Sequence, residues 1–203
     1  MKYDIIFNPE TRKNYTSEDI NKAMILFDLY GGKAVLKANV SSEGKDVFLI
    51  TSKEELKNKI IEEFANNKDS VSICPFYDIE YEYRAIFLDG EIVFCYKKEK
   101  PYIIENGKKV ETSWKHNLSL GGIPSLEIDD ETRKKVYDLA KRAGIAIGIR
   151  FASVDIAETK DKELLVVEIN SNVCMTKFAQ DISNGLQIEY EIFSNAINRM
   201  FED

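Results

Sequence analysis

The stretch from Leu164 to Met175, LLVVEINSNVCM, decides the fold prediction. Its first four residues are apolar, as in a buried strand, but Glu168 and Asn170 follow two positions apart. Successive side chains of a strand point to opposite faces, so these two lie on the same face. An apolar strand that ends with a carboxylate and an amide on one face indicates a polar site at that end.

The segment before this strand supplies a third oxygen donor. IRFASVDIAE, residues 149–158, reads as the other arm of a hairpin whose tip is Lys160 to Lys162. Folding about this tip brings Asp155 opposite Glu168, within about one residue of register. Two adjacent carboxylates repel each other unless a cation lies between them, and an all-oxygen set suits Mg²⁺ better than zinc. The alternative is a pair of solvent-exposed hairpin residues, which the apolar LLVVEI surroundings disfavour.

The rest of the chain predicts an α+β fold with largely antiparallel sheets. Asp89-Gly90 is a strong signal for a two-residue hairpin turn. Ser52 and Glu55 have the spacing of a capping box at the start of a helix. Residues 98–129 read as a polar loop region. Predicted helices occupy 17–30, the segment after Ser52, 130–143 and 186–200, and predicted strands occupy 34–37, 47–50, 70–74, 82–88 and 91–96. We predict two lobes, 1–75 and 76–203, with a cleft where they join.

Composition excludes several classes of function. The 203 residues carry a formal charge of −7, which argues against a general nucleic-acid-binding surface. The sequence has no apolar run long enough to span a bilayer and no signal-peptide pattern. The odd number of well-separated cysteines predicts reduced thiols in a cytoplasmic protein. A single histidine, His116, makes a His-based triad or a His-rich metal site untenable.

Basic residues form two further candidate groups. Lys37 ends an apolar strand, and the small residues of SSEGK, 41–45, follow soon after. Such a loop can cradle phosphate oxygens with its backbone N–H groups, although these residues taken alone favour an ordinary hairpin turn. The second group comprises Arg84 in the segment EYR, then Lys97 or Lys98, and then Lys115 in WKHNLSLGG. These residues matter for chemistry only if they face the same region as the acidic cluster.

Taken together and in this order, these segments resemble the ATP-grasp superfamily, most closely the ligases related to ribosomal-protein glutamate ligase and, more distantly, glutathione synthetase. SVDI with LLVVEINSN is similar to the family's Mg²⁺-binding hairpin, which implies Asp155, Glu168 and Asn170 as metal ligands. AVLKANVSSEGKDVFLI resembles the lysine strand and phosphate-covering loop. VSICPFYDIEYEYR resembles the hinge between the lobes, whose backbone reads adenine. The resemblance implies nucleotide contacts from Lys37, Ser41, Ser42, Gly44, Lys45, Cys74, Pro75, Phe76, Tyr77 and Glu82, the last towards the ribose. It implies phosphate and acylphosphate contacts from Lys97, Lys115 and Asn117.

The resemblance implies an ATP-dependent ligase that uses Mg²⁺, or Mn²⁺, to join a carboxylate to an amine through an acylphosphate. The expected substrates are ATP and small-molecule or peptide carboxylates and amines, without nucleic acid or membrane. Lys37 comes so early that we expect the family's N-terminal domain to be lacking. Three explanations stay open: the chain is a fragment of a longer enzyme, a partner supplies the missing part, or the protein is a reduced member of the family. A partner domain or a homo-oligomer is accordingly among the expected partners. The alternatives are a truncated nucleotide-binding module that needs a partner for turnover and an ATP-grasp kinase.

Overall fold

The computed structural model describes residues 4–7, 18–38 and 46–201. The chain divides into two compact units, Met1–Tyr77 and Asp78–Asp203, and each is described by itself. The lobes predicted from the sequence, 1–75 and 76–203, place the boundary two residues earlier. Assignment of these units to a phosphate-covering lobe and a metal-binding lobe stays a prediction.

The first unit is a four-stranded antiparallel sheet with two helices. Its sheet order is β1-β4-β2-β3. The sequence patterns predicted all of these elements except β1. The elements are β1 (Asp4–Phe7), α1 (Glu18–Leu29), β2 (Ala34–Ala38), β3 (Val47–Ile50), α2 (Lys53–Ala65) and β4 (Ser70–Pro75).

Alternation along β2 separates the core of this unit from its polar face. Leu36 is fully buried among Ile50, Ile60 and Ile73, whereas Lys37 points to the opposite face. Helix α2 begins as its sequence predicts, because the Ser52 hydroxyl accepts a hydrogen bond from the Glu55 N–H at 3.1 Å. The Glu55 carboxylate reaches back to the N–H of Thr51 at 2.8 Å. The reciprocal bond therefore forms one residue before its usual position in a capping box.

The second unit is built on a five-stranded antiparallel sheet with the order β11-β10-β5-β6-β9. Strands β7 and β8 form a separate two-stranded ribbon. A 3₁₀ turn at Leu118–Leu120 lies between β8 and β9. The remaining elements are β5 (Ile79–Leu88), β6 (Glu91–Glu99), β7 (Tyr102–Glu105), β8 (Lys108–Glu111), β9 (Ile123–Ser125), α3 (Asp130–Ile147), β10 (Phe151–Thr159), β11 (Leu164–Asn170), α4 (Thr176–Asp181) and α5 (Gly185–Phe201).

The segment predicted as a polar loop, 98–129, is the main error in the fold prediction. It contains the end of β6, the β7–β8 ribbon and β9. The ribbon has no buried face, since Ile103, Ile104 and Val110 are all exposed, so it shows no hydrophobic alternation. Its turn has positive φ angles at Asn106 and Gly107, and this Asn-Gly pair was the available hairpin signal.

Helices cover both faces of the larger sheet. Helix α3 packs with Val136 and Ala140 against Phe87, Val154 and neighbouring apolar residues. On the other face, α4 and α5 pack Phe178 and Ile192 with Ile86 and Tyr96. The polar site lies on this second face, directly beside the α4–α5 core, because Arg84 pairs across the strands with the core residue Tyr96. In the part of the chain that the structure describes, no helix is long and apolar enough to cross a membrane.

Candidate functional site

The β10–β11 hairpin brings the three predicted oxygen donors together. Asp155 lies directly opposite Glu168, and Ser153 lies opposite Asn170. A bulge follows immediately, between Asp155 and Ile156. The predicted register of the two carboxylates is confirmed, and Asn170 shares their face of the sheet because strand side chains alternate.

Asp155 is buried between two cations. The guanidinium of Arg84, on the neighbouring strand β5, donates to both carboxylate oxygens, at 2.8 and 2.7 Å. The Lys98 ammonium lies 3.3 Å from Oδ2. Burial by itself would raise the pKa of Asp155, but the charges of Lys98 and Arg84 outweigh it and lower the pKa to about 2. Asp155 is therefore an ionised carboxylate at neutral pH.

Lys98 links Asp155 to a further carboxylate. Its ammonium lies 2.8 Å from Glu82 Oε2, and its side chain is only 4% exposed. Burial would lower the pKa of Lys98, but the two facing carboxylates, Asp155 and then Glu82, raise it above its ordinary value. Glu82, Lys98, Asp155 and Arg84 thus form a row of alternating charges across β6, β5 and β10, called here the charge network. A lysine enclosed to this degree is stable only when it is paired with opposite charges.

The structure does not bring Lys97, the predicted catalytic lysine, to the charge network. Lys97 lies on the α3 face, where its ammonium pairs with Glu99 at 3.0 Å and sits 4.7 Å from the centre of the Tyr81 ring. The reason is a bulge between Ile86 and Phe87. An unbroken hairpin about Asp89-Gly90 would pair Glu82 with Lys97, but the extra residue in β6 pairs Glu82 with Lys98. A shift of one residue moves a side chain to the other face.

Glu168 and Asn170 are half-buried beside Asp155. The Asn170 amide nitrogen donates to Glu168 Oε1 at 2.9 Å, so this bond does not use the amide oxygen, the atom that binds metals. Among residues 4–7, 18–38 and 46–201, no three His, Cys, Asp or Glu side chains cluster as a metal site. The donor set here is two carboxylates and one amide. This all-oxygen set fits Mg²⁺, and the carboxylate of Asp155 has lone pairs beyond those that Arg84 and Lys98 occupy.

The loop Trp114–Asn117 is tied to the charge network by His116. This side chain is only 1% exposed, and its Nε2 lies 3.1 Å from the carbonyl oxygen of Glu80. Its Nδ1 lies 3.8 Å from Glu82 Oε1. Burial is the main reason that the pKa of His116 is lowered, so the imidazole is neutral at pH 7. The sequence patterns did not predict this anchoring role of His116.

The predicted residues Lys115 and Asn117 flank this anchor. Both are half-buried, and the Lys115 ammonium lies 5.7 Å from the centre of the Trp114 ring. The Asn117 carbonyl accepts hydrogen bonds from the N–H groups of Leu120 and Gly122. A Cβ at Gly122 would lie 2.4 Å from the His116 carbonyl oxygen, so only glycine allows the chain to turn back this closely. The loop geometry thus holds Lys115 and Asn117 next to the His116 anchor.

In the first unit, the predicted nucleotide residues lie on or beside one face of the sheet. Lys37 and Cys74 point away from the helix-covered core, because β2 and β4 pair in a register that puts both on the opposite face. Burial raises the pKa of the Cys74 thiol to about 11, so it is not a thiolate. Pro75 ends β4, Phe76 lies under the Lys33 ammonium at 3.7 Å, and Tyr77 is half-buried. The predicted phosphate-loop residues Ser41, Ser42, Gly44 and Lys45 lie outside the described residues.

Local sequence patterns do not predict the contacts of Arg84 and Lys98 with Asp155. Arg84 meets Asp155 because β5 and β10 are neighbours, although 71 residues separate the two in the chain. Lys98 meets Asp155 only because of the β6 bulge. The sequence signal for these residues was a basic side chain whose position in a strand places it on the same face as the site. A bulge shifts the alternation of side chains by one residue, and no clear sequence pattern marks where a bulge occurs.

Comparison with known proteins identifies the family. The family described as the RimK-like ATP-grasp domain matches residues 4–195. The chain is 32% identical over 168 residues to tetrahydromethanopterin:alpha-L-glutamate ligase of Methanocaldococcus jannaschii, covering 78% of this chain and 52% of that protein. It is 24% identical over 147 residues to the glutamate–LysW ligase ArgX of Sulfolobus acidocaldarius, covering 72% of this chain and 40% of that protein.

A solved structure shows the same fold. The ATP-grasp ligase PsnB, complexed with a phosphomimetic variant of its minimal precursor, Mg and ADP, superimposes with a TM-score of 0.58 at 16% identity. The match covers 89% of this chain and 51% of PsnB. The chain spans about half the length of the curated relatives it matches. The fold, the donor hairpin and the match over almost all of the chain agree, and the chain belongs to the RimK-like ATP-grasp domain family.

Proposed function

We propose that this chain is the catalytic part of an ATP- and Mg²⁺-dependent carboxylate–amine ligase that forms an amide through an acylphosphate. The observation that carries the proposal is the charge network beside Glu168 and Asn170. It combines buried, permanently charged groups of both signs with an all-oxygen donor set. Phosphoryl transfer requires this combination, because catalysis there is mainly positioning and stabilisation of negative charge.

The proposed metal ligands are Asp155, Glu168 and Asn170. When bound, Mg²⁺ would neutralise charge on the phosphate oxygens next to the two carboxylates. Asp155 keeps its negative charge at any physiological pH, since its pKa is about 2. Arg84 fixes the orientation of this carboxylate through two parallel hydrogen bonds, so the donor set is preorganised.

Cationic side chains of the same unit are the proposed contacts for the transferring phosphoryl group. Lys98 takes the place that the sequence prediction gave to Lys97, because only Lys98 lies on the face of Asp155. Lys115 and Asn117 are proposed to contact the phosphoryl and acylphosphate oxygens from the loop that His116 anchors. None of these roles needs a covalent nucleophile, which is consistent with the high pKa of the Cys74 and Cys95 thiols.

The proposed nucleotide contacts keep their sequence-based assignment. Lys37, on the face of its sheet opposite the buried Leu36, is proposed to bind phosphate, and residues 74–77 are proposed to hold the adenine. Glu82 was predicted to face the ribose, but its carboxylate pairs with Lys98 at 2.8 Å. We therefore propose that Glu82 acts mainly by positioning Lys98, with any ribose contact made by its remaining lone pairs.

Glutamate is the proposed amine substrate. Both curated relatives have glutamate in their names, and the 32% identity to the first supports a related substrate class. The carboxylate partner is proposed to be a small molecule or the end of a peptide. We propose that the protein acts in the cytoplasm, where ATP and Mg²⁺ are abundant and its thiols stay reduced.

The test measures ADP release and product mass with Mg-ATP, glutamate and a panel of carboxylates. Glu168→Gln and Asp155→Asn should reduce turnover at least a hundredfold, because each removes a charged metal ligand. Glu131→Gln is the matched control, since Glu131 is exposed and pairs with Lys135 in α3. Full activity of Glu168→Gln would show that the metal assignment is wrong.

Two other outcomes separate the remaining functions. Calorimetry that detects Mg-ATP binding, with no turnover on any carboxylate, would instead support a nucleotide-binding module that needs a further domain. The chain's coverage of only about half of its relatives makes this the main competing function. A phosphorylated acceptor without a new amide would identify a kinase.

A further inference from the structure

The C-terminal helix α5 has an apolar face that nothing in the described structure covers. Five residues follow each other at intervals of four, three, four and three: Leu186, Tyr190, Phe193, Ile197 and Met200. Together with Phe201 they are called here the α5 stripe. All but Phe193 are between 54% and 83% exposed. The sequence pattern predicts a packed helix face, yet most of this face lies in solvent.

The stripe is distinct from the face that holds α5 on its own unit. Gly185, Ile192 and Ala196 are buried and form that inner face. Phe193 lies between the two faces, and its ring packs edge-to-face on Phe151 with centroids 5.8 Å apart. The anchoring of α5 is therefore complete without the stripe, and the exposed side chains are in excess of what the fold requires.

The spacing of the stripe specifies the shape of its partner. A repeat of 3.5 residues matches the seam of two helices that pack side by side with knobs in holes. A flat or β-rich surface would not require this repeat. The stripe's flanks also allow a helix to approach, because Gln187, Ser194 and Asn198 on one side are polar but uncharged. No block of like charges there repels an identical helix.

The area of the stripe is sufficient for a modest dimer. An aromatic side chain offers about 150–250 Å², and at the exposed fractions given above the stripe presents roughly 600 Å² per copy. Two copies would bury about 1,200 Å², the lower end of stable interfaces. An apolar patch of this size lies at the upper end of what monomers expose, and such patches are often functional.

We propose that the α5 stripe is a homodimer interface, in which α5 packs antiparallel against α5 of a second copy about a two-fold axis at Phe193. In this arrangement Tyr190 of each copy lies in one layer with Ile197 of the other, and Leu186 lies with Met200. Glu189 then lies level with the uncharged Ile197 of the second copy, and not with another carboxylate. The same surface serves both copies, as a two-fold interface requires.

The experiment is sedimentation velocity on the full chain. At about 50 μM, well above the micromolar Kd that a modest interface supports, the wild type should sediment as a dimer of the 23.3 kDa chain. Tyr190→Glu and Ile197→Lys, each alone, should sediment as monomers with unchanged melting temperature, because both side chains are exposed. Ile25→Lys, at an equally exposed apolar position of α1, is the matched control and should stay dimeric.

A double variant tests the antiparallel register. Tyr190→Glu combined with Ile197→Lys in the same chain places an acid of one copy beside a base of the other, and should restore the dimer that each single change abolishes. A monomeric wild type would overturn the proposal and assign the stripe to a different partner. A dimer that persists in both single variants, or a double variant that stays monomeric, would also overturn it.

Discussion

Replacement of the buried lysine, Lys98→Met, tests whether the charge network holds the larger unit together. Methionine keeps the length and apolar stem of the side chain but removes the ammonium that contacts Asp155 and Glu82. Removing one partner of a buried ion pair generally costs 3–5 kcal/mol. Asp155 keeps both bonds to Arg84, so we expect a loss of roughly 3 kcal/mol, the lower end of that range.

The acid dependence of this loss follows from the pKa of Asp155. In the folded protein the pKa is about 2 instead of its ordinary 3.8. This depression contributes roughly 2 kcal/mol of stability at neutral pH. The contribution is fully present above pH 4 and is lost as the pH falls towards 2, because the unfolded chain then binds the proton more readily. Lys98→Met raises the folded-state pKa back towards 3.8, so the difference between wild type and variant should narrow between pH 4 and pH 2.

The assay is urea unfolding followed by circular dichroism at pH 7 and at pH 3. Lys135→Met is the control, since the Lys135 side chain is 62% exposed and pairs with the exposed Glu131 in α3, and an exposed pair contributes at most about 1 kcal/mol. The reasoning is refuted if the two methionine variants are equally stable at pH 7. It is also refuted if the destabilisation by Lys98→Met is as large at pH 3 as at pH 7.

Two further perturbations test other parts of the larger unit. Gly144→Ala should lower the free energy of unfolding by about 1–3 kcal/mol, because a Cβ at Gly144 would lie 2.6 Å from the Phe87 ring. An unchanged melting temperature would contradict this packing of α3. His116 is the only histidine, and burial lowers its pKa in the folded protein. The free energy of unfolding should therefore reach its full value above pH 6.5, the ordinary pKa of histidine, and fall below it, because the unfolded chain then binds the proton more readily. His116→Gln should flatten this slope in urea titrations from pH 7.5 to 5, and an equally steep slope in the variant would show that another group is responsible.

Patterns close together in the chain predicted most of the secondary structure. The Asp89-Gly90 turn marked the β5–β6 hairpin, and the apolar runs on either side of Lys160 to Lys162 marked β10 and β11. Such predictions succeed because a short turn leaves few ways for two strands to pair. The β7–β8 ribbon was missed because it buries no face, although its Asn106-Gly107 turn was visible in the sequence.

The part of the candidate site that lies within one hairpin was likewise predictable from the sequence. Asp155, Glu168 and Asn170 belong to one hairpin, so alternation and turn length were enough to place all three on one face. Arg84 was not assigned to Asp155, because that contact depends on which strand lies beside β10 in the sheet. Strand order results from how the whole core packs, and a window of ten residues does not contain that information.

The sequence by itself determined the two hairpins, the α+β class and the donor trio, since each depends on short-range geometry. Tertiary structure alone decided that Lys98 and not Lys97 meets Asp155, because one bulge in β6 reverses which side chains point to the site. It also decided that the α5 stripe is exposed. Helical spacing shows that a face is apolar, but only the packing of the remaining elements determines which apolar face the core covers and which is left for a partner.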